Sequence, residues 1–212
     1  MKIIQCEQGT DAWRAARAGK VTASRVADIT ARTKTGYGAS RANYMAELIA
    51  ERLTGTSAEG YTNAAMQWGT EKEPEARAAY SAGLFDDVTC IGFVEHPTIA
   101  MAGCSPDSLV GEDGLAEFKC PNTATHIDTL LGQAIPAKYV TQMQFQMGTT
   151  GRKWCDFVSY DPRLPESMRL FVKRVHRDDA AIATLNAEVT TFLAELDSKI
   201  AALTRLYKQE AA

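Results

Sequence analysis

Apolar residues recur at helical spacing toward the end of the chain, where Ile182, Leu185, Val189, Phe192, Leu193, Leu196, Ile200 and Leu203 predict an amphipathic helix. Asp178 and Asp179 open it, and it runs to about Tyr207. Upstream the period shortens to two. Residues 168–175 alternate as a half-buried strand does, and residues 154–160, 88–94 and 98–103 read as further strands, the last two joined by a His96-Pro97 turn. Residues 1–5 form a starting strand or arm. Helices fill the intervals. Thr10 caps one over residues 11–17 that Gly19 ends; Thr22 caps another from Ala23 to about Ile29; Ser40 caps a third with the stripe Tyr44, Leu48, Ile49 and Leu53, stopped by Gly55. A helix from Thr62 to about Ala82 contains Pro74, which starts a second helix or kinks this one, and two more cover residues 125–131 and 138–147. Elements so interleaved predict an α/β fold, a central mixed β-sheet flanked by helices, as a single domain over residues 1–212 whose last helix serves docking or oligomerisation.

The segment between the central strands carries the candidate chemistry. Asp107 and Glu117 are separated by strand residues, a Gly111-Glu112-Asp113-Gly114 turn and strand again, which predicts a hairpin. A turn centred on Glu112 and Asp113 sets Asp107 beside Phe118, and period two puts Glu117 and Lys119 on one strand face. Two carboxylates and an ammonium on one small surface suit a divalent cation: hard cations take oxygen ligands, and the lysine holds a water or stabilises charge on phosphorus. The plainer reading is a solvated strand face, against which stand the surrounding Leu109, Val110, Leu115, Ala116 and Phe118.

Other polar residues have two readings each. Glu73, in a partly apolar stripe, pairs with Arg77 or supplies a third carboxylate. Arg17, Thr22 and Ser24 meet where the first two helices join and there make an anion site, or else are caps and a solvated charge. Gln144 shares a helix face with Val140 and Met147, so its amide braces the core or reaches into the site.

Composition narrows the classes. The chain has 212 residues, 23% of them charged, and a formal charge of −3, which excludes disorder and an indiscriminately basic nucleic-acid binder. Seven Lys and Arg between Arg14 and Arg41 nevertheless face one acid, Asp28, so this segment is a candidate for holding phosphates. Within it the polar loop of residues 32–39 lies along nucleic acid or is simply exposed. Five cysteines without a C-x-x-C signal neither a disulfide framework nor a zinc site, and His96, His126 and His176 are too scattered for a shared metal. No charged-then-apolar leader opens the chain, and no apolar run approaches the roughly 18 residues of a membrane span. The expected location is cytoplasmic, in a host cell if the gene is a phage's, with no membrane partner.

The string Cys104-Ser105-Pro106-Asp107 followed by Glu117-Phe118-Lys119-Cys120-Pro121 resembles the lambda-exonuclease (YqaJ-like viral recombinase) branch of the PD-(D/E)xK, restriction-endonuclease-like nucleases. Further matches in family order are Glu7 to Arg14 with Arg17 and residues 21–24, Trp68-Gly69 with Glu73, Tyr139 with Gln142 and Gln144, and residues 160–163. The chain departs from the pattern at Ser108, where the family often has glycine. The resemblance implies a restriction-endonuclease-like core and a 5′-to-3′ exonuclease acting on double-stranded DNA ends. By it, Asp107, Glu117, the Phe118 carbonyl and Glu73 hold two Mg²⁺ ions, for which Mn²⁺ can substitute, and Lys119 orients or deprotonates the attacking water. It also assigns the terminal 5′-phosphate and DNA to Arg17, Thr22, Ser24, Ser105, Gln142 and Gln144. A homo-oligomer, a ring trimer in related enzymes, and a single-strand annealing partner complete its implications. Two alternatives stay open: a structure- or site-specific endonuclease on the same fold, and a non-catalytic DNA-end-binding recombination protein.

Overall fold

The computed structural model describes residues 1–57, 63–83 and 87–209. In chain order the described elements are β1 (Lys2–Ile4), α1 (Asp11–Arg17), β2 (Val21–Thr22), a 3-10 turn (Ala23–Arg25), α2 (Val26–Thr30), β3 (Arg32–Thr33), β4 (Gly36–Tyr37), α3 (Ala39–Thr54) and α4 (Ala64–Ser81). There follow β5 (Val88–Thr89), β6 (Phe93–Glu95), β7 (Ala102–Cys104), β8 (Ser108–Val110), β9 (Gly114–Lys119), α5 (Thr123–Gly132), α6 (Ala137–Thr150), β10 (Trp154–Tyr160), β11 (Leu170–His176) and α7 (Asp179–Gln209).

The mixed α/β architecture is the expected one, with the strands other than the β3–β4 pair divided between two sheets. Among the described residues one sheet has the order β11-β10-β9-β8-β5, with β9 and β10 parallel, and the other β1-β6-β7-β2, with β2 and β7 parallel. They are joined where β7 runs through Ser105, Pro106 and Asp107 into β8. Pro106 has no N–H for a ladder, so the strand breaks there. Gln8 Nε2 fixes the break by donating to the carbonyls of Pro106 at 2.9 Å and Ile91 at 2.8 Å.

Alternation along β9 and β10 then sorts side chains to two helices. Ala116, Phe118, Val158 and Tyr160 pack against Ala76 and Tyr80 of α4. Leu115, Cys155 and Phe157 pack against Met143 and Met147 of α6. A third cluster joins α2, α3 and α7 to the smaller sheet through Val26, Ile29, Tyr44, Leu48, Phe192 and Val94. Phe145 of α6 belongs to that cluster. Helix α6 thus lies between two cores, and residues 142–147 are all buried.

Several local expectations change. Thr22 makes no cap hydrogen bond and ends β2, and the helix after it is split into the 3-10 turn and α2. Ser40 lies inside α3, where Gly38 takes the N-cap and Ser40 Oγ instead donates to Asp28 O at 3.2 Å. Leu53, placed in the buried stripe, is 52% exposed. Thr62 lies outside the described residues; Asn63 caps α4, which continues through Pro74. Most of the strand expected at 98–103 is a turn, because His96 Nδ1 accepts from the backbone N–H of Ile99 at 3.0 Å and Thr98 at 3.3 Å. The loop of residues 32–39 is a small hairpin, β3 with β4, whose Tyr37 hydroxyl donates to Glu188 of α7 at 2.8 Å.

The central hairpin forms, one residue out of the expected register. Ser108 pairs with Ala116 and Val110 with Gly114, which sets Asp107 opposite Glu117. Gly111, at φ 49°, adds a residue to the turn. The smaller sheet depends on a close approach at Gly103, where a Cβ would stand 2.3 Å from Phe93 Cζ and 2.4 Å from the Val94 carbonyl oxygen. Gly103→Ala is therefore expected to destabilise the protein by about 1–3 kcal/mol in urea unfolding, as overpacked cores do; an unchanged midpoint would contradict the contact.

Candidate active site

Asp107 follows the Pro106 break and is tied to β9 by the Phe118 N–H, which donates to its Oδ2 at 2.7 Å. A strand residue sends its N–H and C=O to the same edge, so the Phe118 carbonyl also faces the side on which Asp107 lies. The neighbouring Glu117 is buried, at 1% exposure. Its Oε1 accepts from Lys119 Nζ and from Gln142 Nε2 at 2.6 Å, and its Oε2 from Gln146 Nε2 at 2.7 Å. Lys119 also lies over the Tyr139 ring, at 5.2 Å. From α4, Glu73 pairs with Arg77, whose Nε donates to Ser108 Oγ at 3.0 Å. The ion pair with Arg77 is thus formed, and the Glu73 charge also acts on Asp107.

Negative charge is in excess here. Burial and then the Glu117 and Glu73 charges push the Asp107 carboxyl well above its usual range. Burial raises Glu73 despite Arg77 and Lys119. Burial would lower the Lys119 ammonium, but the Glu117 and Asp107 charges outweigh it and raise it. Cys120 is pushed up to about 12, chiefly by burial, so it is a packed thiol and not a nucleophile. The exit of β9 is braced by Arg163, which donates to the Pro121 carbonyl at 3.0 Å and to Asp161 Oδ1 at 2.7 Å. Burial works to raise Asp161, yet hydrogen bonds from Arg163 and Thr123 hold it at about 2.

A cavity of about 370 Å³ lies beside this centre, lined among others by Trp13, Arg17, Lys20, Thr22, Ser24 and Tyr44. Arg17 stacks on Trp13, its Cζ 4.1 Å from the ring centroid, and its Nη1 is 3.4 Å from Ser105 Oγ. Trp13 Nε1 donates to the same hydroxyl at 2.8 Å. The Thr22 and Ser24 hydroxyls are 3.4 Å apart. Burial lowers the Arg17 guanidinium, and no salt bridge offsets it among the described residues. Its neighbours are committed: Arg25 bonds Asp28 and Glu47, and Lys20 donates to the Ala16 carbonyl at 2.6 Å. A larger, open hollow of about 930 Å³ at the far end of the hairpin is lined by Asp87, Glu112 and Asp113 and lies away from these groups.

The structure thus gathers Asp107, Glu117, Lys119 and Phe118 with Glu73, and separately Arg17, Thr22, Ser24 and Ser105. Gln142 belongs to the acidic centre rather than the anion pocket. Gln144 belongs to neither: its Nε2 donates to the His176 carbonyl at 2.8 Å and its Oε1 accepts from Asp178 N at 2.9 Å, which makes it the brace between β11 and α7. Two residues were missed. Trp13 carried no polar signal beyond its indole N–H. Gln146 was signalled by its spacing, four residues after Gln142 on the same helix face. His126 is a core residue, bonded to Ser159 Oγ at 2.7 Å and the Met168 carbonyl at 2.9 Å.

A mixed sheet with a Pro-Asp break, an acid and a lysine two residues apart on the next strand, and helices on both faces defines the PD-(D/E)xK class of nuclease folds. The chain belongs to the YqaJ-like viral recombinase family, whose profile matches residues 12–153. It is 56% identical to an alkaline exonuclease (LHK-Exo) from Laribacter hongkongensis, covering 94% of this chain and 99% of that one at a TM-score of 0.88; the same enzyme in complex with dAMP gives 0.89. A phage related exonuclease from Haemophilus somnus 129PT shares the fold at 19% identity and a TM-score of 0.70, covering 90% of this chain and 99% of that one. No curated protein matches the chain.

The charge excess has a measurable sign. Asp107 titrates higher in the folded chain than in the unfolded one, so its contribution is fully favourable at low pH and is lost as pH rises through its folded value. Asp107→Asn keeps an acceptor for the Phe118 N–H and is expected to raise the unfolding temperature of the metal-free protein at about pH 8 by roughly 2 °C or more. The gain should shrink toward about pH 4. A lower unfolding temperature at the higher pH would contradict the excess.

Proposed function

We propose that the chain is a metal-dependent exonuclease that engages a 5′-phosphorylated end of duplex DNA and digests that strand 5′ to 3′, leaving a 3′ single strand for recombination. The observation that carries this reading is Arg17: a guanidinium withdrawn from water, without a carboxylate partner among the described residues, sharing the Ser105 hydroxyl two residues before Asp107. A terminal phosphate carries more charge than an internal diester, so a fork-shaped donor with hydroxyls beside it favours the end. Family membership and the exonuclease activity of the relatives support a nuclease; the dAMP complex of the Laribacter enzyme supports a deoxynucleotide ligand for this fold.

Mg²⁺ fits the donor set by its chemistry. The raised Asp107 and Glu73 mark a carboxylate cluster short of positive charge, and the ligands are hard oxygens. Among the described residues no three acidic, histidine or cysteine side chains are already drawn together as a finished cage. Asp107, Glu117, the Phe118 carbonyl and Glu73 would hold the ions, two in number, with Mn²⁺ able to replace them. When bound, the metal supplies Lewis acidity and an activated water at neutral pH. Lys119, beside Glu117, would orient the attacking water or take its proton and balance charge on phosphorus. A homo-oligomer around the duplex and a single-strand annealing protein are the partners this reading expects. Among the described residues no helix is long and apolar enough to cross a membrane.

The test uses linear duplex with 5′-phosphate ends, the same duplex with 5′-hydroxyl ends and closed circular duplex, each with and without Mg²⁺. The expected result is fast degradation of the first, slow degradation of the second and none of the third, all requiring metal. Asp107→Ala or Glu117→Ala should abolish cleavage, and Lys119→Ala should slow it on the order of 10²-fold. Arg17→Ala should remove most of the preference for phosphorylated ends. Cleavage of the circle would favour an endonuclease, and activity indifferent to Mg²⁺ and to Asp107 would refute the reading.

A further inference from the structure

Helix α6 sends two glutamines, one turn apart, to the same carboxylate, and their situations differ. Gln142 and Lys119 both donate to Glu117 Oε1, and both retain some exposure, 9% for Gln142 and 27% for the Lys119 side chain. Gln146 has none: it is 0% exposed, and its Nε2 donates to Oε2 at 2.7 Å. Its own Oε1 is buried without a hydrogen-bond partner. Turning the amide over would set that oxygen against a carboxylate oxygen, since a carboxylate offers only acceptors. The orientation of Gln146 is therefore imposed by Glu117, and the chain accepts an unsatisfied buried oxygen to keep it.

We infer that Gln146 is a positioning residue that anchors Glu117 for metal binding. The inference rests on the nuclease reading above and extends it to a residue outside the acid and lysine set. Lys119 and Gln142 occupy the Glu117 oxygen that their partial exposure leaves accessible, and both can turn to substrate or water when a cation takes their place. Gln146, enclosed between two cores, has no alternative partner and holds Oε2 throughout. Without it the carboxylate rotates about its last torsion or is drawn wholly to Lys119, and the ion pair then competes with the cation. Groups that hold a metal ligand from behind typically change affinity by about 10–100-fold when removed.

The test measures Mn²⁺ binding to the DNA-free protein by electron paramagnetic resonance, alongside the Mg²⁺ dependence of cleavage. Gln146→Met removes the donor at similar volume, and Gln146→Asn withdraws the amide by one methylene, so at least one folded variant can be compared by thermal unfolding in chelator. Both should bind Mn²⁺ about 10–100-fold more weakly and need correspondingly more Mg²⁺ for half-maximal rate. Binding of 5′-phosphorylated duplex in chelator should not change, because the Arg17 pocket is untouched. Parental Mn²⁺ affinity in a folded variant would overturn the inference while leaving the nuclease reading intact. Absence of Mn²⁺ binding by the unsubstituted protein would overturn the metal-site reading and the inference with it.

Discussion

A carboxylate at 1% exposure governs the arrangement of this molecule. Ionised groups leave water at a cost that only close, well-aimed partners offset. Glu117 has three donors, one from its own strand and two from α6. That requirement fixes the rotation of α6, because Gln142 and Gln146 must face the sheet together. Met143 and Met147 then meet Leu115 and Phe157, while Phe145 is turned to the other core. The polar contact and the packing of the central helix are consequences of one constraint.

The joint between the two sheets is the second organising feature. Ser105 and Asp107 lie on either side of Pro106, so the hydroxyl shared with Arg17 and the acid aimed at β9 are held by a single rigid segment. Gln8 fastens it by two backbone contacts. On the proposed reading the spacing between the two groups must not drift, since small misplacements cost large factors in rate. A proline at a strand break between two ladders provides that stiffness without a larger interface.

Charge works by subtraction. The segment from Arg14 to Arg41 is rich in cations, but Arg14 bonds Asp11, Arg25 bonds Asp28 and Glu47, Arg32 bonds Glu188, and Arg41 bonds Glu195. It is therefore not a free basic face. Two of these arginines, Arg32 and Arg41, fasten the small hairpin and α3 to α7, and Arg17 is left as a partly buried cation without such a tie among the described residues. A protein with a net charge of −3 can in this way keep a local positive charge at Arg17.

Much of this was legible in the sequence because it depends on near neighbours. The hairpin, the acids and lysine on it, the long last helix and the strand at residues 154–160 follow from periods of two and 3.6 and from turn residues, all local properties. Local signals erred where a side chain or a turn residue near at hand took over the backbone: His96 wrapped an expected strand into a turn, and Gly111 added a residue that moved the register by one. Side-chain partners across the fold were beyond the reach of the sequence. Gln142, Gln144 and Gln146 alternate along one helix and differ in composition not at all, yet two serve Glu117 and one braces β11 against α7. Their roles were decided by which layer each met when α6 settled between the two cores, and that position exists only once residues far apart in the chain have packed.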